Sequence, residues 1–316
     1  MAQSEGSVDD QTSGAPLRAG AYDRYDTTFD SRGTSCAAWL YRPRGVERPP
    51  IVVLGHGFAA IRALRLDAYA ARFGEAGFAA LVFDYRGWGD SAGQPRRVLD
   101  IRGQQADWRA AVAHARTLDG VDTDRVVAWG SSFGGGHVLH LAAEDRQLAA
   151  VIAQVPHISG PASAFARSPQ AVARLTAAAL RDQVGALLGR QPYRVPAVGE
   201  PGSTAMMTSP DAFPMLRRLA GARYDELLAE NDVAARIALR VPFYSPGRLA
   251  ERITAPVLVQ LARHDVVTPY HVALKVARRI PRGETRTYDC GHFEPYVEPY
   301  FDSVVNDQID FLRRNV

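Results

Sequence analysis

Short apolar segments alternate with segments of helical spacing along most of this chain, and that alternation limits the fold more than anything else in it. Residues 51–54, 78–83, 125–129 and 148–155 are β-rich and largely without polar alternation. Between them, residues 68–76, 103–118 and 133–143 carry apolar side chains at helical intervals. Strands that are apolar on both sides need cover on both faces, and the intervening helices supply it, so the pattern predicts an α/β fold with a mostly parallel central sheet. Two extended stretches, 25–29 and 37–41, precede the series. The rhythm returns near the C-terminus, with strands expected at 256–261 and 284–289 and helices at 271–279 and 301–313.

Between the two series lie residues 157–250, which show no convincing strand. Helical spacing is evident at 171–188 and 212–228, and the piece at 191–210 contains four prolines and reads as a loop. Inserts into α/β sheets sit where strands end, and ligands bind there too, so this segment is expected to be a helical cap over a site. The division is then a flexible tail at 1–20, a core at 21–156 and 251–316, and the cap at 157–250.

Composition narrows the partners. With 316 residues, 47% hydrophobic and 22% charged, the chain is long and apolar enough for a sizeable core. Every apolar run is broken well short of the ~18 residues of a membrane span. A net charge of +3 from 37 basic and 34 acidic residues does not call for nucleic acid or anionic lipid. Lys275 is the only lysine, and the arginines are scattered, as coding bias in a GC-rich genome would leave them. Cys36 and Cys290 cannot make a disulfide framework or a zinc site unaided. The polar first 20 residues lack the apolar core of a signal peptide, so a bacterial cytoplasm with reduced thiols is expected. Oligomeric state is left open, a homodimer included.

The motif G-x-S-x-G occurs twice. At Gly89-Asp-Ser-Ala-Gly93 the preceding strand ends several residues earlier and Pro95 bars a helix from opening at once, so Ser91 reads as a turn residue. At Gly130-Ser-Ser-Phe-Gly134 a strand runs straight into the first glycine and a helix begins immediately after. Such an elbow lifts the Ser132 hydroxyl clear of the sheet. It also aims the helix N-terminus, and the Phe133 amide, at the place where an oxyanion would form. Ser132 is therefore the candidate nucleophile.

A serine needs a base, and the base an orienting acid. His292 follows a strand near the C-terminus and is the candidate base, while Asp265 follows the strand at 256–261 and is the candidate acid. The order Ser132, Asp265, His292 is that of the strand–elbow–helix hydrolases. His264 adjoins the acid and is a weaker base candidate. His114, His137 and His140 fall within helices as structural residues, His271 opens a helix, and the His137–His140 pair lacks a third ligand, so no metal is expected. His157 stands at the start of the cap as a candidate pocket residue. The second oxyanion donor is the Phe58 amide in Gly55-His-Gly-Phe58. Gly55, Gly57 and Ala60 also fit a dinucleotide fingerprint, but no suitable acid follows at the right spacing, and no cofactor is expected. Met206, Met207, Phe213 and Met215 are candidates for an apolar pocket lining, although packing within the cap is the commoner use of such residues.

In this order the motifs resemble the α/β-hydrolase superfamily: His56-Gly-Phe58, Asp84-Tyr-Arg-Gly-Trp-Gly-Asp-Ser91, the Ser132 elbow, Asp265 followed by Pro269, and Gly291-His-Phe-Glu-Pro-Tyr296. The likeness covers residues 22–156 and 240–316 and is nearest the bacterial branch of dienelactone hydrolases and X-prolyl dipeptidyl peptidases. It implies a triad of Ser132, Asp265 and His292 with Phe58 and Phe133 amides as oxyanion hole. Dienelactone hydrolases carry Cys at the elbow, whereas dehalogenases and epoxide hydrolases carry Asp. The expected activity is cofactor-independent cleavage of a small-molecule ester, thioester or lactone through an acyl-enzyme. An acyltransferase, a peptidase or a binding protein on the same scaffold are the alternatives.

Overall fold

The computed structural model describes residues 12–165 and 169–316. In chain order its strands are β1 (Thr12–Ala19), β2 (Tyr22–Ser31), β3 (Thr34–Pro43), β4 (Pro50–Gly55), β5 (Ala79–Phe83), β6 (Asp122–Ser131) and β7 (Ala150–Gln154). Then come β8 (Arg194–Pro196), β9 (Asp232–Ala234), β10 (Val257–Ala262) and β11 (Gly283–Tyr288). The helices are α1 (Leu66–Glu75), α2 (Ile101–Ala115), α3 (Phe133–Glu144), α4 (Gly160–Phe165), α5 (Pro169–Leu187), α6 (Ala212–Ala220), α7 (Tyr224–Ala229), α8 (Tyr270–Ala277) and α9 (Phe301–Asn315).

Nine strands form one sheet in the order β1-β2-β3-β5-β4-β6-β7-β10-β11. Pairing is antiparallel from β1 to β5 and parallel from β5 through β11. This is an α/β-hydrolase fold. Alternate residues of each central strand face opposite sides. Val53, Leu81, Ala128, Val151 and Val259 pack under α2, α3 and α8, while Val52, Val82, Trp129, Ile152 and Leu258 pack under α1 and α9. Each large aliphatic or aromatic side chain so buried contributes about 1.5–3 kcal/mol.

Local signals end the elements where the sequence pattern breaks. After α1, Gly77 at φ 90° lets the chain reverse; the Phe78 amide donates to the Phe73 carbonyl at 2.9 Å and the Gly77 amide to Gly74 at 3.2 Å, closing the orphan carbonyls. Asp100 caps α2 by accepting from the Gly103 amide at 2.9 Å.

Three expectations need correction. The tail expected at 1–20 is ordered strand from Thr12 to Ala19, because the Gly20-Ala21 turn folds it back onto β2, with Ala19 opposite Tyr22; residues 1–11 lie outside the described residues. The segment expected to be strandless contains β8 and β9, a three-residue antiparallel pair with Val195 opposite Val233. The helix expected over 212–228 is divided into α6 and α7 at Gly221, whose φ of 55° interrupts it.

The chain leaves the core after β7 and returns to β10 through a neck. There the Gly160 amide donates to Tyr244 O at 2.9 Å and the Gly247 amide to Ile158 O at 3.1 Å. Beyond the neck, Asp182 on α5 is buried and accepts from the Tyr193 and Arg236 amides and from the Arg236 guanidinium. Arg97 of the core reaches Asp232 of β9 at 2.6 Å. No helix among the described residues is long and apolar enough to cross a membrane.

Candidate active site

Ser132 stands between β6 and α3 with φ 54° and ψ −117°, a conformation that costs about 1–3 kcal/mol and persists only where the surroundings enforce it. They do so here. The Ser132 amide donates to Gln154 O at 2.9 Å, and its carbonyl accepts from the His157 amide at 2.7 Å and the Gly136 amide at 3.1 Å. The elbow also depends on missing side chains: a Cβ at Gly130 would lie 2.3 Å from Gly134 O, and one at Gly134 would lie 2.5 Å from His56 O.

The loop after β11 brings His292 to this serine, and the loop after β10 brings Asp265 to the histidine. His292 Nε2 lies 2.9 Å from Ser132 Oγ, and His292 Nδ1 lies 2.6 Å from Asp265 Oδ2. A carboxylate only accepts, so Nδ1 carries the proton and Nε2 is free to receive one from the serine. Asp265 is buried, which alone would raise its carboxyl pKa. The nearby His292 and the bonds from His292 and Thr268 outweigh that and hold it below the usual range. Its Oδ1 accepts from the Val267 and Thr268 amides at 2.8 and 2.7 Å, and its Oδ2 from the Thr268 hydroxyl at 2.8 Å.

The Phe58 and Phe133 amides donate to no protein group among the described residues, and the two phenyl rings meet edge to face at 5.6 Å. A Cβ at Gly57 would come within 3.1 Å of Ser132 Cβ, which puts the Phe58 loop directly beside Ser132. That loop is fastened from below. Buried Asp84 accepts from the Arg62 amide at 2.6 Å and pairs with the Arg62 guanidinium, which also reaches Asp90 at 2.7 Å. The Tyr85 hydroxyl donates to His56 O at 3.3 Å. His56 itself is uncharged, since burial holds it down to about 3.

Two cavities converge on Ser132, sharing Phe58 and Met207 in their walls. The narrower, about 90 Å³, is lined mainly by apolar groups such as Trp88, Val198, Leu216 and Phe293. The larger, about 350 Å³, includes Phe133, His157, Ser163 and Thr268. Residues of the segment between β7 and β10 line both. Of the four cap candidates, Met206 and Met207 reach the cavities. Phe213 packs against Val198, Ala212 and Leu216, and buried Met215 receives Arg218 on its sulfur at 3.7 Å.

The remaining candidates lie elsewhere. Ser91 is buried, donating to Asp84 O at 2.6 Å and accepting from the Ala37 amide at 2.8 Å, which makes it part of the loop under the site. His264 is exposed against Asp289 at 2.9 Å. His137 is buried between the Tyr244 hydroxyl and Gln104, and His140 pairs with Glu144. Burial pushes the Cys290 thiol up to about 12.

Sequence reasoning missed the supports. Gln154, Gln260 and Gln308 form a buried amide cluster behind the elbow. Gln308 Nε2 donates to Gln154 Oε1 at 3.0 Å and to Gln260 Oε1 at 2.6 Å, and Gln154 Nε2 donates to Ser131 Oγ at 3.2 Å. The signal was a single glutamine in each of two otherwise apolar strands, and the two stand opposite each other in the sheet.

The family model of serine aminopeptidases, S33, matches residues 47–299. The quorum-quenching protein AidA of Acinetobacter baumannii (strain MDR-ZJ06) is 47% identical over 291 residues, 92% of this chain and 95% of that protein. A polyketide transferase of a Penicillium species is 27% identical over 297 residues, 92% of this chain and 95% of that one. The crystal structure of the α/β hydrolase GrgF from Penicillium sp. sh18 matches with a TM-score of 0.76 at 26% identity, covering 92% of this chain and 98% of that one. These likenesses support the superfamily and a hydrolase; they do not support the narrower branch of dienelactone hydrolases and X-prolyl dipeptidyl peptidases. The chain belongs to the serine aminopeptidase S33 family.

Proposed function

We propose that this S33-family hydrolase cleaves an ester, thioester or lactone of a small molecule through an acyl-enzyme on Ser132. The observation that carries the reading is the unbroken chain Ser132–His292–Asp265, at 2.9 and 2.6 Å, beside two amides with no protein partner among the described residues. His292 Nε2 takes the hydroxyl proton as Ser132 Oγ bonds to the carbonyl carbon, and the Phe58 and Phe133 amides hold the oxyanion. Asp265 keeps the imidazole in the required tautomer and stabilises the imidazolium. His292 then protonates the leaving oxygen or sulfur as its bond to carbon breaks. Water then gives a proton to His292 as its oxygen bonds to the acyl carbon, and His292 returns the proton to Ser132 Oγ as the acyl carbon–Oγ bond breaks.

The two cavities suit the two halves of such a substrate, with residues 157–250 as the cap that encloses them. Glu230 is the one acid among the described lining residues, so an apolar acyl compound fits better than a peptide N-terminus. Relatives named as polyketide transferases and a thiohydrolase favour acyl compounds as well. Those transferases also favour a second reading, in which an alcohol or amine replaces water at the acyl-enzyme.

Intact-mass labelling with a fluorophosphonate, wild type against Ser132→Ala, tests the reading together with a panel of esters of increasing acyl length. One adduct on the wild type, none on the variant, and ester turnover are expected. An unlabelled wild type would overturn it. Product partition with an added alcohol separates hydrolysis from transfer.

A further inference from the structure

We infer that His157 is a specificity determinant: its Nδ1 accepts a hydrogen bond from an O–H or N–H of the substrate in the larger cavity, and so selects esters, thioesters or lactones that carry such a donor. The inference rests on the hydrolase reading of Ser132 and names the class of substrate for that site.

His157 follows β7 and is fastened to the nucleophile's own backbone, its amide donating to Ser132 O at 2.7 Å. The ring is buried and fixed. It stacks on Tyr244 with planes 10° apart and leans on Phe133, the centroids 5.2 Å apart. Its Nε2 lies 3.1 Å from Tyr244 O. A carbonyl only accepts, so Nε2 carries the proton and Nδ1 presents a lone pair. Burial holds the ring down to about 4, so it stays neutral, and Nδ1 stays an acceptor, in the neutral pH range.

Among the described residues, what faces that lone pair is weak. The Ser163 hydroxyl approaches at 3.4 Å, the outer edge of hydrogen-bonding distance, and lines the same cavity. A substrate donor can therefore displace it at little cost. Thr268, on the same wall, has its hydroxyl committed to Asp265 at 2.8 Å and does not compete. A substrate without a donor sets carbon against a buried acceptor and keeps it from the hydroxyl that partly satisfies it.

The test compares matched ethyl esters: 3-hydroxyhexanoate against 3-methoxyhexanoate, and N-hexanoylglycine against its N-methyl analogue. A third pair, ethylene glycol monohexanoate against its methyl ether, places the donor on the alcohol side. In at least one pair the donor ester is expected to have kcat/KM about 10-fold higher in the wild type. His157→Phe, which keeps an aromatic ring against Tyr244, is expected to bring that ratio close to one. Ser163→Ala removes the competing hydroxyl without touching His157 and is expected to raise kcat/KM for both esters of a pair, so that the donor preference persists. No preference in any pair, or a preference that survives in His157→Phe, would overturn the inference. The fluorophosphonate labelling rate reports on Ser132 separately. If it falls in His157→Phe, the Ser163→Ala result decides, and a donor preference that disappears there overturns the inference. Calorimetric binding of the same pairs to the Ser132→Ala protein reads the preference without turnover, so failure of the hydrolase reading is distinguishable from failure of this one.

Discussion

Asp265 binds His292 with one oxygen and the Val267 and Thr268 amides with the other, and this division dictates what an amide would do in its place. In Asp265→Asn the carbonyl oxygen stays with the two amides and the NH2 faces His292 Nδ1. The imidazole must then accept at Nδ1 and hold its proton at Nε2, where it cannot take one from Ser132. A fall in kcat of about 10⁴ is expected with the fold intact, measured by ester hydrolysis and circular dichroism. Residues of this kind were legible in the sequence because each follows a strand end that apolar runs and turn residues mark. Thr268 and the Gln154–Gln260–Gln308 cluster were not. Their roles rest on contacts such as Gln308 to Gln154, 154 positions apart, which no local pattern encodes.

Among elements, α3 closes tightly on the loop after β4, with Gly134 against the Gly55 and His56 carbonyls. A Cβ in Gly134→Ala would stand 2.7 and 2.5 Å from those oxygens, neither of which can swing away as a side chain could. The helix start must move from the Phe58 loop, separating the Phe58 and Phe133 amides. We expect the variant to melt lower and, at a temperature where it is still folded, kcat/KM for esters to fall by about 10²–10³; equal kcat/KM would mean the amides are not used together. Within the insert, α5 is held by Asp182, where burial alone would raise the carboxyl but Arg236 and the backbone donors keep it below its usual range. Asp182→Ala leaves the Arg236 guanidinium without that partner and is expected to destabilise by about 3–5 kcal/mol, read from urea denaturation. Helix positions in this segment were partly readable, yet β8 and β9 were not, since three-residue strands carry too few side chains for an alternating pattern.

The whole molecule has a predictable response to acid. Burial holds His56 at about 3, His157 at about 4 and His137 well below its ordinary 6.5. Below about pH 6.5 the unfolded chain therefore binds protons that the folded one does not, and each histidine removes up to about 1.4 kcal/mol of stability per pH unit down to its folded value. Burial lifts the Asp84 carboxyl to about 6, which opposes one of the three between about pH 6 and 4. The urea midpoint should be lower at pH 5 than at pH 7, and equal midpoints would contradict the neutral buried rings. The parallel core was legible because β4, β5, β7, β10 and the later half of β6 are buried on both faces. The antiparallel edge was only partly so, since β1 is recognisable as a strand chiefly by its pairing to β2. The neck, where Gly160 meets Tyr244 and Gly247 meets Ile158, gives the insert a single doorway. A lobe whose two ends leave and re-enter side by side can be exchanged as a cassette between relatives without rewiring the sheet. His157 and Tyr244 stand on the threshold and would stay with the host, so a grafted lobe would bring new walls to the cavities but inherit His157 beside Ser132.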